Sequence, residues 1–355
     1  MKKIVLTGGG TAGHVTPNLA LLPALQEAGF LITYMGSYDG IEKRLVEDFG
    51  IPYVGISTGK FRRYLDVKNL TDPFRVIKGY TEARRFLKEY RPDVVFSKGG
   101  FVSVPVVRAA ASLKIPCIIH ESDMTPGLAN KLCFPVAKNI CCNFPETYEM
   151  LPKEKAVLTG TPIRAELAQG NKLAGLEMCG FTANKPVIMV IGGSLGAMNV
   201  NKAVRDALPQ LLEKYQVVHL CGKDKIDNLL LATPGYKQFE YLKAELKDIF
   251  AMADIVISRA GANAICELLA LRKPNILIPL PASSSRGDQL LNAESFGDQG
   301  FSIVLHEDDM TTSLLVEKVN ELYENRQSFF DAMEKSGQMD SIPTIMGLIR
   351  KAAGV

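Results

Sequence analysis

At 355 residues, 47% of them hydrophobic, the chain is long enough for two domains of ordinary size and too apolar to be disordered. A formal net charge of only +3 argues against nucleic acid as a partner while leaving room for local basic patches. Its seven cysteines contain no Cys-x-x-Cys pair, so free thiols in a reducing compartment are expected and a zinc site is not.

Met1-Lys2-Lys3 is charged like the start of a signal peptide. Only Ile4-Val5-Leu6 follow before Thr7 and the glycines, too few for an apolar signal core. Short β-branched runs at 3–7, 31–35, 53–56, 93–96, 116–120, 139–142 and 156–159 predict strands. Longer periodic runs at 17–28, 39–48, 73–90, 102–112 and 126–133 predict helices. In the second half, strands near 187–191, 216–220, 254–257, 275–279 and 302–305 alternate with helices near 198–214, 244–251, 261–271, 288–298 and 311–325. No run reaches the ~18 apolar residues of a membrane span. Alternating strand–helix units predict an α/β fold, two doubly wound parallel sheets with helices on both faces. Leu158-Thr159-Gly160-Thr161-Pro162 reads as the linker, which sets domains at 1–160 and 161–341. A second crossing near 335–341 would return the last helix, about 342–353, and the segment 342–355 to the first domain.

Two glycine turns stand about half a chain apart, each directly after an apolar strand. The first is Gly8-Gly9-Gly10-Thr11-Ala12-Gly13-His14, and the second is Gly192-Gly193-Ser194-Leu195-Gly196-Ala197. A strand that ends in glycines and opens a helix gathers backbone N–H groups and the positive helix end at one point, which suits phosphate oxygens. Gly8-x-Gly10-x-x-Gly13 also fits the dinucleotide fingerprint, which wants an acid near the end of the second strand. Here that strand ends in Gly36-Ser37, and the first acid, Asp39, lies beyond it, which argues against hydride transfer. A tight turn that binds nothing is the plain alternative.

His14 closes the first turn at a helix start. The positive helix end disfavours imidazolium, so the ring is expected to be neutral and able to accept a proton; a ring that only hydrogen-bonds backbone is the alternative. A third glycine turn, Ser97-Lys98-Gly99-Gly100-Phe101-Val102-Ser103, follows the strand run Val94-Val95-Phe96, and His120-Glu121-Ser122-Asp123 follows the run Pro116-Cys117-Ile118-Ile119. In a doubly wound sheet such turns gather at the carboxyl ends of the strands, where ligands sit. Asp123 or Thr125 capping the next helix is the ordinary reading of the tetrad. In the second half, Glu267 stands in a mostly apolar helix, where a carboxylate needs a partner: ribose hydroxyls, or a lysine or arginine. Gln289 and Asn292, one helical turn apart, suit sugar hydroxyls or a solvated face equally.

Taken in order, Gly8–His14, Lys98-Gly99-Gly100-Phe101-Val102-Ser103-Val104-Pro105, His120-Glu121, Gly127-Leu128-Ala129-Asn130-Lys131, Gly160-Thr161-Pro162-Ile163-Arg164, Gly192–Ala197, Ser258-Arg259-Ala260-Gly261-Ala262, Glu267 and Asp288-Gln289 resemble the MurG family along essentially the whole chain. These are bacterial N-acetylglucosaminyltransferases that complete the peptidoglycan precursor lipid II. The resemblance implies the GT-B architecture, two Rossmann-like domains facing across a cleft. It implies UDP-N-acetylglucosamine in the second domain: Arg164, Ser194, Leu195 and Gly196 at the diphosphate, Leu242 at the uracil, Glu267 at the ribose and Gln289 at the sugar hydroxyls. Gly261, Ala262 and Asn263 belong to the same donor side. Lipid I would lie on the first domain, with Thr11, Ala12, Gly13, Lys98, Gly99, Gly100 and Phe101 around its pyrophosphate and Asp123 nearby. His14, Glu121 and Asn130 match positions near the transfer centre, the first two as catalytic candidates. The chain departs from the pattern at Ala264, where many members are polar, at Asp123, where others carry an amide, and at Asp288, which replaces the first of two glutamines.

The implied chemistry is displacement at the anomeric carbon of an α-linked donor by the 4-hydroxyl of N-acetylmuramic acid, with inversion to a β1→4 link and release of UDP. A base must take the hydroxyl proton, and donors must stabilise the leaving diphosphate. His14 is favoured as the base ahead of Glu121 or Asp123. No Asp-x-Asp clamp occurs in the chain, and neither metal nor cofactor is expected. A polyprenyl-anchored acceptor implies a peripheral place on the cytoplasmic face of the cell membrane. Lys60-Phe61-Arg62-Arg63-Tyr64-Leu65 and then Phe74, Arg75, Ile77, Lys78, Tyr80, Arg84, Arg85 and Phe86 interleave cations with apolar groups, as a patch for an anionic membrane surface would. A solvated helix with its aromatic residues in the core is the alternative. Cell-wall synthesis and division proteins are candidate partners. Rival readings are another UDP-sugar enzyme on the same fold, such as an epimerase, and a binding protein without turnover.

Overall fold

Side chains alternate across a strand, so a strand whose residues are all apolar must be covered on both faces. Val94-Val95-Phe96 is such a run, and all three side chains are fully buried. The computed structural model describes residues 1–59, 68–193, 196–282, 287–336 and 341–355, leaving the side chains of 68–73 aside. Lys60–Leu65, Ser194, Leu195, Ser283–Arg286 and 337–340 of the expected second crossing lie outside the described residues. The chain divides into two compact units, Met1–Arg164 with Asp340–Val355, and Ala165–Met339.

Among the described residues the first unit holds seven strands: β1 (Lys3–Thr7), β2 (Leu31–Ser37), β3 (Tyr53–Ile56), β4 (Val94–Ser97), β5 (Cys117–Glu121), β6 (Asn139–Cys142) and β7 (Ala156–Leu158). They form one sheet in the order β3-β2-β1-β4-β5-β6-β7, and every pair is parallel. Its helices are α1 (Thr16–Ala20), α2 (Leu22–Glu27), α3 (Ile41–Glu47), α4 (Lys68–Tyr90), α5 (Ser103–Ser112), α6 (Leu128–Cys133) and α7 (Pro145–Met150). One sheet face, carrying Ile4, Leu6 and Phe96, packs against Leu19 of α1 and Leu22 and Leu25 of α2. The other, carrying Val5, Val95 and Ile119, packs against Leu87 of α4 and Val106 and Ala110 of α5. The helix expected over 17–28 is broken at Leu21, because Pro23 has no N–H to bond the preceding turn.

The second unit repeats the scheme with β8 (Val187–Ile191), β9 (Gln216–Leu220), β10 (Tyr236–Phe239), β11 (Ile255–Ser258), β12 (Asn275–Leu277) and β13 (Ser302–Val304). Their order is β10-β9-β8-β11-β12-β13, again all parallel. Around them lie α8 (Lys172–Cys179), α9 (Met198–Lys214), α10 (Leu246–Met252), α11 (Ala262–Ala270), α12 (Asp288–Asp298), α13 (Thr312–Glu324) and α14 (Arg326–Glu334). Ile188, Val190, Val217 and Ile257 meet Val204 and Leu208 of α9 and Leu315 and Val319 of α13. The last helix, α15 (Ser341–Ala353), lays Ile345, Met346, Ile349 and Ala353 into the core of the first unit. Each fully buried isoleucine there stabilises by about 1.5–3 kcal/mol.

Strand order reverses between β1 and β4 in one sheet and between β8 and β11 in the other. Ligands in doubly wound sheets bind at such reversal points, outside the carboxyl ends of the strands. Both glycine turns named from the sequence stand there.

Candidate active site

In the first unit the turn after β1 and the turn after β4 lie directly on one another. Gly9 N–H donates to Gly99 O at 3.4 Å. A Cβ on Gly100 would strike Gly9 O, and one on Gly10 would strike the Phe101 ring, so only glycine allows this approach. Gly10, Gly99 and Gly100 also hold φ of 86°, 90° and 80°, the left-handed region that favours glycine. A Cβ on Gly99 would stand 2.9 Å from Asn130 Nδ2. The structure thus brings Thr11, His14, Gly99, Gly100, Phe101 and Asn130 to one rim.

His14 is half-buried, its Nδ1 2.9 Å from Thr11 Oγ1. Burial pushes the imidazole down to about 4, and the Lys98 ammonium acts in the same direction. The ring is therefore neutral near pH 7. In the tautomer that donates Nδ1–H to Thr11 Oγ1, the lone pair belongs to Nε2.

Lys98 is fully buried, and its Nζ donates to His120 Nδ1 at 2.8 Å, to Thr161 Oγ1 at 3.3 Å and to Ser122 Oγ. His120 Nε2 donates to Gly160 O at 2.8 Å, which fixes the tautomer and leaves Nδ1 to accept from the lysine. Burial and then Lys98 hold His120 well below the ordinary histidine range. The pair ties β4 and β5 to 160–161, so the segment read as a linker is packed into this unit. Glu121 is buried too. Its carboxylate accepts from Asp123 N–H at 3.0 Å, Gly127 N–H at 2.9 Å and Asn130 Nδ2 at 3.0 Å. Gly127 is the N-cap of α6, so through its N–H Glu121 holds the start of that helix. Asp123 is half-buried, and its carbonyl accepts from Thr147 Oγ1 at 3.3 Å. Among the described residues Asn130 Oδ1 is buried with no hydrogen-bond partner.

In the second unit Gly192-Gly193 leave β8, and α9 begins at Met198. Gly196 has φ 68°, and a Cβ on it would strike Cys221 O at the end of β9. Asn201 Nδ2 donates to that same carbonyl at 2.9 Å, while Asn201 Oδ1 accepts from His219 Nε2 at 3.0 Å. The first turn of α9 is thereby pinned to β9. Beside it, Arg259 is buried in an ion pair with Glu307 and donates to Ile278 O at 3.0 Å and Pro279 O at 3.2 Å. Asn199 Nδ2 reaches Glu307 Oε1 at 2.5 Å. One guanidinium so joins the ends of β11 and β12 to the segment after β13, and Glu307 extends the link to the start of α9 through Asn199. The sequence reading missed Arg259 and Glu307 in this role because they lie 48 positions apart.

Gly261 is the N-cap of α11, with Ala262 and Asn263 half-buried in its first turn. Glu267 is half-buried: Ile265, Cys266, Leu268 and Leu269 take the core face and leave the carboxylate on the more open side. Gln289 Oε1 accepts from Leu280 N–H at 3.1 Å, and Asn292 Nδ2 donates to Ala260 O at 3.1 Å. Leu242 is buried, and Arg164 is half-buried at the end of the first unit. Among the described residues no group of three His, Cys, Asp or Glu side chains is arranged to hold a metal ion.

Residues 4–142 match the glycosyltransferase family 28 N-terminal domain, and residues 187–345 match the family's C-terminal domain. The UDP-N-acetylglucosamine–N-acetylmuramyl-(pentapeptide) pyrophosphoryl-undecaprenol N-acetylglucosamine transferase of Lachnoclostridium phytofermentans is 63% identical over 351 residues, 99% of each chain. The transferase of the same name from Lachnospira eligens is 64% identical over 350 residues, again 99% of each. The crystal structure of Acinetobacter baumannii MurG is similar with a TM-score of 0.78 at 29% identity, covering 99% of this chain and 100% of that one. With identity this high along its full length, and with both family 28 domains in order, the chain belongs to the MurG family of glycosyltransferases.

Proposed function

We propose that the protein transfers N-acetylglucosamine from UDP-N-acetylglucosamine to the 4-hydroxyl of the N-acetylmuramoyl unit of lipid I, giving lipid II and UDP with inversion. The observation that carries this reading is the full-length identity to transferases of that name, in a chain whose two sheets each present a glycine turn at the reversal point. The second unit takes the donor. The backbone of the turn after β8, with Ser194, Leu195, Gly196 and Arg164, receives the diphosphate. Leu242 meets the uracil, and Gly261, Ala262 and Asn263 bring the N-terminal turn of α11, where the positive end of the helix favours an anion. Glu267 accepts from the ribose hydroxyls and Gln289 bonds the sugar.

The first unit takes the acceptor, with Thr11, Ala12, Gly13, Gly99 and Gly100 around its pyrophosphate and Phe101 packed behind them. Lys98 contributes its positive field and holds the rim in shape, because its ammonium is spent on His120, Ser122 and Thr161. In the reaction the 4-hydroxyl oxygen attacks the anomeric carbon. Its proton passes to His14, and the bond to the β-phosphate oxygen breaks with its electron pair leaving on UDP. Glu121, Asp123 and Asn130 hold the acceptor side of the centre.

No helix among the described residues is long and apolar enough to cross a membrane. Association with an anionic surface is supported by α4, and its place on the cytoplasmic face is part of the same proposal. Phe74 is 74% exposed and Ile77 60%, beside exposed Arg75, Lys78, Arg84 and Arg85. Tyr80 and Phe86 pack instead against the core. The test is acceptor-dependent release of UDP with the new linkage read by NMR. A β1→4 product supports the reading. Consumption of donor without acceptor, or an α link, refutes it.

A further inference from the structure

Glu42, in the first turn of α3, is fully buried and plays no part in the reading above. Its carboxylate accepts from Ser37 N–H at 2.9 Å, from Ser37 Oγ and from Gly10 N–H at 3.2 Å. Among the described residues no lysine or arginine pairs with it. Burying a carboxylate without a cation is costly, and here hydrogen bonds alone offset that cost. Three glycines make the room. A Cβ on Gly9 would stand 2.6 Å from the Glu42 carboxyl carbon, one on Gly36 2.7 Å from its Cγ, and one on Gly40 would meet Oε1. On its other side the same turn is backed by the Phe101 ring at Gly10. The turn is thus held between a carboxylate and an aromatic ring.

We infer that Glu42 is a positioning residue for acceptor use: it fixes Gly10, and through Gly10 the Thr11–His14 turn. Two consequences follow from the geometry. The Gly10 N–H is already taken, so an acceptor pyrophosphate meets the turn along Thr11–Gly13. The pairing of Thr11 Oγ1 with His14 Nδ1, three residues on, depends on where Gly10 is held. Glu42 also fills the region after β2 where a dinucleotide-binding domain offers an acid to ribose, and it points that acid at the loop instead. The inference rests on reading this turn as the acceptor side.

The experiment uses the full-length protein and its Glu42→Ala and Glu42→Gln variants, with lipid I and UDP-N-acetylglucosamine varied in turn. Glu42→Gln keeps the shape and one acceptor oxygen but sets an NH2 against a backbone donor. Glu42→Ala should lower kcat/KM for lipid I by about 10- to 100-fold, the scale of a misplaced reacting group. Glu42→Gln should lose less, donor KM should be unchanged in both, and the Gly10 amide should exchange faster with solvent in Glu42→Ala. A loss confined to active fraction, with both KM values unchanged and kcat lowered alike for every variant, overturns the inference. So do unchanged kinetics or unchanged exchange. If the wild-type protein forms no lipid II, the proposed function fails and this inference with it. If the wild type is active and the variants match it, only this inference fails.

Discussion

Lys98 Nζ lies 2.8 Å from His120 Nδ1, and both side chains are fully buried. A buried ammonium beside an imidazole keeps that imidazole neutral, and His219, also fully buried, is held down to about 3 by burial and Arg205. A histidine whose folded pKa is depressed loses proton affinity on folding. Its contribution to stability is therefore full above the unfolded value of about 6.5 and is lost as pH falls below it. Each of the two should cost up to about 1.4 kcal/mol per pH unit in that window. Between about pH 6.5 and 5 ordinary carboxylates stay ionised in both states. Denaturation midpoints measured there should fall with pH, and His219→Gln should flatten the slope. Midpoints that are level or rising across this range would contradict the assignment.

His14 should be the residue whose loss most affects turnover without touching donor binding. His14→Ala should lower kcat by roughly 10²–10⁴ if it is the base. Because the ring sits at about 4 in the free protein, the acid limb of kcat/KM for the acceptor should lie well below 6.5. UDP affinity, read by calorimetry, should not change. Turnover within a few-fold of wild type would shift the role to Asp123 or Glu121.

Glu267→Ala should leave the fold intact, since its neighbours Ile265, Cys266, Leu268 and Leu269 carry the core face of α11. Loss of charge-assisted bonds to ribose, about 1.5–3 kcal/mol, corresponds to a rise in donor KM of about 10- to 100-fold. The acceptor KM should be unaffected. An unaltered donor KM would remove the ribose role.

Phe74 and Ile77 of α4 should act with the adjacent cations at a lipid surface. Changing both to Ser, or Arg75 and Lys78 to Glu, should weaken cosedimentation with anionic vesicles and leave UDP binding intact. Each cation near such a surface is worth about 1 kcal/mol. Turnover of long-chain lipid I should drop more than that of a short-chain analogue. Equal losses on both acceptors would assign the patch a different purpose.

The sheets were legible because parallel strands buried on both faces leave unbroken apolar runs, as in Val187–Ile191 and Val94–Phe96. Tyr236–Phe239 was not. It is an edge strand next to β9 only, with exposed Lys237 and a buried Gln238 that bonds Asp227 O, and it has no β-branched residue. Helix α8 was passed over although Asn171 caps it and Gly180, at φ 68°, ends it. The glycine turns were legible as strand-to-helix junctions, and the two of the first half do meet. What spacing cannot reveal is direction. His120 and Glu121 follow a strand toward the rim, yet the ring turns inward to Lys98 and the carboxylate turns to the start of α6. Glu42 bonds Gly10 from 32 positions away, a contact that no local pattern encodes.

The most direct test of the central claim is mass analysis of the lipid product after incubation with lipid I and isotopically labelled UDP-N-acetylglucosamine. The account predicts gain of one labelled N-acetylhexosamine on lipid I, with UDP released in equal amount. Unmodified lipid I alongside hydrolysed or epimerised donor would contradict it.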